Sequence, residues 1–242
     1  MSNTTKYLSL SFSSGICLGL AWPTGGFTFL IFVALIPLLY LEDKIRIDSS
    51  KRKALRLFIY SYLSFLIWNL ITTWWLYNST LFGMLFANFC NSLFYAIIFL
   101  LYFWGKKRLP LRSAYIFLIT VWLSFEKLHL VWDFSWTWLN LGNVFSEKIY
   151  WIQWYEYTGI FGGTLWILIV NVFIFNFLKN EIKAFGWKKI ISKVLMLVFL
   201  VITPIILSIF IYKLNTETNN KIEIAILQPN IDPYNKKFKS SN

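Results

Sequence analysis

The chain has 242 residues, of which 57% are hydrophobic, 21% aromatic and 14% charged, and its mean hydropathy is +0.58. A water-soluble domain has about a quarter of its residues charged, so this composition excludes an ordinary soluble fold. Apolar runs of about 18 or more residues recur, each long enough to cross the hydrocarbon layer of a bilayer. The sequence therefore predicts an all-α polytopic membrane protein.

Seven membrane-spanning helices are predicted within residues 1–212, at 7–22, 25–41, 55–77, 80–104, 112–131, 159–178 and 190–212. The connections after the second, fourth and sixth segments are rich in Lys and Arg, whereas those after the first and third carry no charge. Because cytoplasmic loops are enriched in basic residues, this alternation places the N-terminus in the cytoplasm. An odd number of crossings then places residues 213–242 outside.

The formal net charge of +12 comes largely from the Lys and Arg residues of these alternate connections. It therefore indicates topology and contact with anionic lipid headgroups, and no nucleic-acid partner is expected. Cys17 and Cys90 lie in different predicted spans and are interpreted as small packing residues. The single histidine, His129, is interpreted as an interfacial polar residue at the end of the fifth span, so no metal site is expected.

The longest outward connection, residues 126–163, carries the most specific pattern of the membrane part. Its tryptophans are Trp132, Trp136, Trp138, Trp151 and Trp154. An aromatic belt at the headgroup level accounts for some of these rings, but polar and small residues accompany them. Glu126 ends one apolar helix, and the spacing of Gln153, Glu156 and Gly159 places them near one face of the next.

Several short segments carry a family resemblance. They are "AWPTGGFTFLIFVALIPLLYLE", then "WLSFEKL" with Glu126, "FSWTWLNLGN" with Gly142, "IQWYEYTGIFGG" with Gly159, and "IEIAILQPNIDPYNKKF" with Gln228 and Asn230. In this order, and with seven spans before the last one, they resemble the apolipoprotein N-acyltransferases. The last segment is similar to the opening strand of that family's nitrilase-like domain. Ser135 and His129 depart from the pattern, since the family usually has Pro and commonly has Arg there.

The resemblance covers essentially the whole chain and implies a function. Family members acylate the α-amino group of the lipid-modified N-terminal cysteine of bacterial lipoproteins, and a phospholipid donates the acyl chain. The expected partners are thus a membrane phospholipid and a diacylglyceryl-modified lipoprotein N-terminus, and the expected location is the bacterial inner membrane. No cofactor is implied.

The family mechanism is ping-pong, with a thioester acyl-enzyme formed by a cysteine nucleophile, a glutamate base and a lysine that stabilises the oxyanion. The resemblance places all three in the nitrilase-like domain, beyond Asn242, so no catalytic residue is expected in this chain. Cys17 and Cys90 match no catalytic position. The chain is expected to be the membrane half of the enzyme, inactive alone, with a truncated nitrilase-like domain at 213–242 that begins with a β-strand at 222–228.

Trp136 and Trp138 are the main candidates for a wall or gate where acyl chains enter. Gln153 and Glu156 are candidates for hydrogen bonds to a headgroup, and Phe238 for a substrate contact. One alternative is a non-catalytic scaffold that pairs with a separately encoded nitrilase-like domain, and another is a gene fragment. A small-molecule transporter is disfavoured because the predicted spans show almost no interior charges or broken helices.

Overall fold

A computed structural model describes residues 3–22, 25–180, 187–214 and 223–229. Within these ranges the chain is helical and contains no β-strand. Its helices are α1 (Asn3–Ala21), α2 (Ile36–Ile47), α3 (Lys53–Thr73), α4 (Leu81–Arg108), α5 (Leu111–Leu128), α6 (Tyr155–Asn180) and α7 (Trp187–Leu214). Short 3-10 turns lie at Thr28–Phe32, Trp74–Asn78, Thr137–Leu139, Leu141–Phe145 and Ile149–Trp151.

Four helical segments in the described chain are long and apolar enough to cross a membrane. They are Lys53–Asn78, Leu81–Arg108, Tyr155–Lys179 and Trp187–Leu214. The remaining helices, α1, α2 and α5, fall on the other predicted spans. The prediction of an all-helical, membrane-type chain is therefore confirmed over the residues that the structure describes.

The second predicted span, 25–41, is not one continuous helix. Thr28–Phe32 forms a 3-10 turn, and α2 begins only at Ile36. Hydropathy does not distinguish the two cases, because an apolar segment with a break averages the same value as an unbroken one. The expectation of spans without broken helices was wrong at this position.

Two buried side chains satisfy the backbone at this break. The Asn171 side-chain amide of α6 donates to the Ile31 carbonyl oxygen at 2.8 Å, and the Asn171 side-chain oxygen accepts from the Leu35 N–H at 2.9 Å. The Ser14 hydroxyl of α1 donates to the Ala34 carbonyl oxygen at 2.5 Å. Since a buried backbone group without a partner costs about as much as a lost hydrogen bond, these two residues make the break possible.

A cluster of aromatic rings in the core lies between α3, α4 and α5. Its fully buried members include Phe65 and Trp68 of α3, Tyr95 and Phe99 of α4, and Trp122 of α5. The Tyr95 and Trp122 ring centroids are 4.9 Å apart, and those of Trp68 and Tyr95 are 5.2 Å apart. Aromatic pairs at such distances are favourable beyond the area they bury, so these rings help to hold α3, α4 and α5 together.

Small residues let α1 approach α3 closely. A Cβ on Gly15 would lie 2.5 Å from the Ser64 carbonyl oxygen. The Ser11 hydroxyl donates to the Tyr60 carbonyl oxygen at 2.6 Å across the same contact. Small side chains at close helix crossings are typical of membrane bundles, where packing rather than water exclusion holds helices together.

An ion-pair cluster joins α2, α4 and α6 at one end of the bundle. Glu42 is fully buried and pairs with Arg46 and with Lys106, the latter at 2.5 Å. Asp43 pairs with Lys106 at 2.6 Å and with Lys179. Burial acts to raise the pKa of Asp43, but the two lysines outweigh it and hold that pKa below its usual value. Lys106 and Lys179 were interpreted from the sequence only as signals of membrane topology, but in the structure they also connect helices.

The predicted strand at 222–228 is not formed in the part of it that the structure describes. Residues 223–229 belong to no helix or strand, and Ile224, Ile226 and Gln228 are exposed. A strand needs backbone partners, and the described chain offers this segment no neighbouring strand. Asn230 and Phe238 lie outside the described residues.

We expect Lys106→Met to lower the free energy of unfolding by about 3 kcal/mol or more, because it leaves buried Glu42 without one of its two cationic partners. The measurement is unfolding by SDS titration in mild detergent. The matched control is Lys107→Met, since Lys107 is exposed and lies over the Phe103 ring; its loss is expected to stay below about 1 kcal/mol. Equal effects of the two substitutions would contradict the role assigned to the cluster.

Candidate functional site

Three segments meet at the end of the bundle opposite the ion-pair cluster. They are residues 25–27, 74–80 and 129–154, and we call this region the aromatic end. The Trp75 and Trp138 rings of two segments meet edge to face at 5.8 Å, residues 25–27 line the same cavity as both rings, and the Phe134 ring lies 6.2 Å from Phe86 in the N-terminal part of α4. Connections far apart in sequence thus form one surface.

Glu126 holds the backbone of this region. It is fully buried at the end of α5, and its Oε1 accepts from the Leu141 N–H at 2.8 Å and from Trp122 Nε1 at 3.1 Å. Its Oε2 accepts from the Thr164 hydroxyl of α6 at 2.7 Å, and that hydroxyl accepts from the Gly142 N–H at 3.0 Å. The carboxylate therefore ties the 137–145 loop to α5 and α6, which is a positioning role.

Gly142 lies where this loop approaches the backbone of α6. A Cβ at Gly142 would collide with the Ile160 carbonyl oxygen, so a larger residue cannot occupy this position without moving the backbone. The Tyr155 hydroxyl donates to the Gly142 carbonyl oxygen at 2.9 Å, and the Tyr95 hydroxyl donates to the Leu139 carbonyl oxygen at 3.1 Å. Glu126 and Gly142 were both predicted as motif residues. The 137–145 loop brings them close, because Glu126 accepts from the Leu141 N–H next to Gly142.

The residues at the entry to α6 act mainly on the backbone. Gln153 donates its backbone N–H to the Ser208 hydroxyl of α7 at 2.6 Å, and its side-chain amide to the Ile149 carbonyl oxygen at 2.8 Å. Gly159 has φ = 61°, a conformation that favours glycine, and it kinks the start of α6. Glu156 is exposed. Headgroup binding by Gln153 and Glu156 remains a prediction.

A cavity of about 970 Å³ opens at the aromatic end between α1, α3 and the 137–146 loop. We call it the Trp138 cavity. Its walls include Trp22, Phe27, Trp75, Trp138 and Asn143. Trp138 is 59% exposed and closes one side of the cavity against Trp75. Trp138 therefore lines a cavity, and its predicted role at an entrance for acyl chains stays a prediction. The contribution of Trp75 was not predicted, because Trp75 lies on a connection that is distant in sequence.

A second cavity, of about 450 Å³, lies between α4 and residues 129–136, and we call it the Trp136 cavity. It is lined by Phe86, Cys90, Asn91, Phe94, His129 and Trp136, among others. The structure therefore assigns Trp136 and Trp138 to different cavities. His129 is 1% exposed, so its interpretation as an interfacial residue was wrong.

We expect Glu126→Leu to lower the free energy of unfolding by about 3 kcal/mol, since the Leu141 N–H and the Thr164 hydroxyl lose their buried acceptor. Glu126→Gln keeps one acceptor oxygen, and a loss of about 1 kcal/mol is expected. The measurement is SDS-induced unfolding in mild detergent.

The control for this series is Glu156→Leu, which makes the same change at an exposed position. Its effect should remain within about 0.5 kcal/mol. If Glu126→Leu behaved like this control, the loop would not depend on the carboxylate.

Comparisons with known proteins show the family of this chain. The family model described as the apolipoprotein N-acyltransferase N-terminal domain matches residues 14–173. The apolipoprotein N-acyltransferase of Chlorobaculum tepidum is 31% identical over 239 residues, which cover 96% of this chain and 43% of that protein. The chain thus spans less than half the length of this relative. No solved structure shows a significant match. With two thirds of its length inside the family's N-terminal domain, the chain belongs to the apolipoprotein N-acyltransferase family.

Proposed function

We propose that the chain forms the membrane part of an enzyme that transfers an acyl chain from a phospholipid to the α-amino group of the lipidated N-terminal cysteine of bacterial lipoproteins. The observation that carries the proposal is the Trp138 cavity in a chain of this family. Its volume of about 970 Å³ is at the upper end of the range for ligand cavities. Its aromatic walls suit the acyl chains that both substrates carry.

Seven crossings of a bacterial inner membrane are part of this proposal. The four long apolar helices supply four crossings, and α1, α5 and the broken segment that ends in α2 supply the others. The ion-pair end carries most Lys and Arg residues, so it is assigned to the cytoplasm. The aromatic end and residues 213–242 then face the outside, where lipoprotein N-termini lie.

The chemistry is assigned to a nitrilase-like domain, on the same polypeptide or on a separate one. A glutamate takes the proton of a cysteine thiol, and the thiolate attacks the ester carbonyl of the phospholipid. The ester C–O bond breaks, and the glycerol oxygen leaves with the proton as a lysophospholipid. The acceptor amine then attacks the thioester, forms the amide and releases the cysteine. A lysine stabilises the oxyanion in both steps.

In this scheme the membrane part positions the lipid. The Trp138 cavity lies beside the loop that Glu126 and Thr164 hold, so its wall is fixed relative to α5 and α6. Fixed walls favour catalysis, because an ester held in a reactive position loses less entropy on reaching the transition state.

The broken second segment does not favour transport. Ile31, Ala34 and Leu35 are buried, and side chains of α1 and α6 occupy their hydrogen-bonding groups. Broken helices of transporters line the cavity that binds the substrate, whereas this break is packed. A scaffold that pairs with a separately encoded domain differs from the proposed enzyme part only in how the catalytic residues are encoded.

The first test is photo-crosslinking in nanodiscs that contain a phosphatidylethanolamine with a diazirine on one acyl chain. We expect the peptides that carry residues 72–75 and 138–146 to be labelled above the exposed surface of α7, which reports bulk lipid. Trp138→Ala should lower this extra labelling several-fold, because losing an aromatic wall costs about 1 kcal/mol or more of lipid contact.

Trp104→Ala is the matched control, since Trp104 is an exposed tryptophan of α4 near the ion-pair end. It should leave the labelling pattern unchanged. Uniform labelling of all lipid-facing surfaces would contradict a lipid site in the Trp138 cavity.

The activity itself is tested by supplying a nitrilase-like domain together with the chain in liposomes. Mass spectrometry should detect an acyl chain moved from phosphatidylethanolamine to a diacylglyceryl-modified lipopeptide. Absence of transfer, with a complete family enzyme active in the same liposomes, would count against the assignment.

A further inference from the structure

A third cavity, of about 560 Å³, is lined by residues of α5, α6 and α7, and we call it the Lys193 groove. It lies at the ion-pair end of the bundle, because Tyr115 lines it and Lys106 Nζ lies 6.0 Å from the centre of the Tyr115 ring. Helices α5 and α7 each pack on α6, and the groove lies between them. Ile116 of α5 and Met196 of α7 line the groove and are exposed, so it opens at the surface of the bundle.

Two cationic side chains line this groove, Arg112 of α5 and Lys193 of α7. Arg112 is exposed and Lys193 is partly exposed. None of the lining residues is acidic, and in the described part of the chain neither cation forms an ion pair with a carboxylate. Lys193 Nζ lies 5.7 Å from the centre of the Phe173 ring, which also lines the groove. The ammonium group is therefore positioned at the groove.

The position of the two cations favours an anionic ligand. Lys193 falls inside the predicted span 190–212, and Arg112 is the first residue of the predicted span 112–131. Cations within membrane spans are costly without a partner and usually mark a binding site or a pathway. Neither α5 nor α7 has an acidic residue in its first turn. Since the N-terminal end of a helix carries partial positive charge, the helix ends add to the positive potential here.

The apolar walls distinguish a lipid from a small anion. Along α6 the lining residues run from Phe177 to Ile169, which is about 12 Å of helix and most of the hydrocarbon depth of one leaflet. Inorganic phosphate would leave these walls uncovered, whereas an acyl chain would cover them. A headgroup with an ammonium, as in phosphatidylethanolamine, would find no carboxylate among the lining residues. The matching ligand therefore has a phosphodiester, acyl chains and no ammonium group.

We propose that the Lys193 groove binds an anionic phospholipid of the cytoplasmic leaflet, with its phosphodiester on Arg112 and Lys193 and an acyl chain along the apolar walls. Basic pockets between membrane helices bind lipid phosphates in this way, and a guanidinium can bond two phosphate oxygens at once. This site goes beyond the proposed function, because the lipid is not a substrate of acyl transfer. Only its assignment to the cytoplasmic leaflet depends on the proposed topology.

Bound lipid would attach the N-terminal part of α7 to the bundle. No residue of α7 from Trp187 to Pro204 is fully buried, and Ile205 and Ser208 are its buried residues. A lipid in the Lys193 groove contacts α5 and α7 together and covers part of this exposed surface. Because a ligand that binds only the folded form raises its stability, the anionic lipid should stabilise the chain against unfolding.

The first experiment measures lipid binding to the chain in mild detergent by native mass spectrometry. We expect dioleoyl phosphatidylglycerol to bind about tenfold more tightly than dioleoyl phosphatidylethanolamine. Arg112→Gln and Lys193→Gln should each weaken phosphatidylglycerol binding about fivefold, and together about thirtyfold. The matched control is the double variant Lys44→Gln and Arg52→Gln, which removes the same charge from exposed positions outside the groove. Its affinity should stay within about twofold of the parent chain.

The second experiment follows SDS-induced unfolding with and without phosphatidylglycerol. The lipid should raise the SDS concentration at half unfolding for the parent chain and for the control variant, but not for Arg112→Gln with Lys193→Gln. Unfolding without lipid checks that this variant retains its fold. Inorganic phosphate in excess should neither displace the lipid nor stabilise the chain, which separates a lipid site from a site for free phosphate.

Three results would overturn the inference. Equal binding of the two phospholipids would show that the groove does not select an anionic headgroup. Equal weakening by the groove and control variants would reduce the effect to the net charge of this end, and displacement by inorganic phosphate would show that the apolar walls take no part. Acyl transfer in liposomes tests the proposed function separately, so failure of either proposal leaves the other standing.

Discussion

A backbone N–H or C=O inside a membrane has no water to bind, and this constraint explains many buried polar side chains of the bundle. Pro204 in α7 has no N–H for the Leu200 carbonyl oxygen, and the Trp166 indole of α6 donates to that oxygen at 2.8 Å. Asn171 serves the broken second segment in the same way. Interruptions of helices are thus matched by a donor or acceptor from a neighbouring helix.

The same constraint shapes the candidate site. The loop that carries Trp138 is irregular, and it stays close to the bundle because Glu126 accepts from its backbone and Tyr155 donates to it. The hydrogen bonds that stabilise this loop are therefore the same ones that position it on the bundle. The Trp138 and Trp136 cavities share no lining residue: one lies between α1, α3 and residues 138–146, and the other lies between α4 and residues 129–136.

The sequence predicted most helices because apolar length is a direct requirement of the bilayer, and α3, α4, α6 and α7 meet it. It also singled out Glu126 and Gly142 through their place in a motif. It could not predict the break before Ile36, because hydropathy averages over it. Nor could it separate Trp136 from Trp138. Trp75 lies about 60 positions before Trp138, in the turn after α3, and the α4 residues that line the Trp136 cavity lie about 40 to 50 positions before Trp136, so only the folded chain brings them close.

Helix α7 buries only a small part of its surface against the rest of the bundle. Ile205 and Ser208 are its buried residues, and much of its remaining surface is apolar and exposed. Near its C-terminal end it is held by the Gln153–Ser208 hydrogen bond and by the Tyr150 and Tyr212 rings, whose centroids are 4.6 Å apart. The middle of α7 contacts the bundle through the Trp166–Leu200 hydrogen bond and through Leu197 and Val201, which pack against the core. A shift of the C-terminal end of α7 would therefore also move residues 150–153, and with them the Trp151 ring that packs on Phe29 at 4.8 Å.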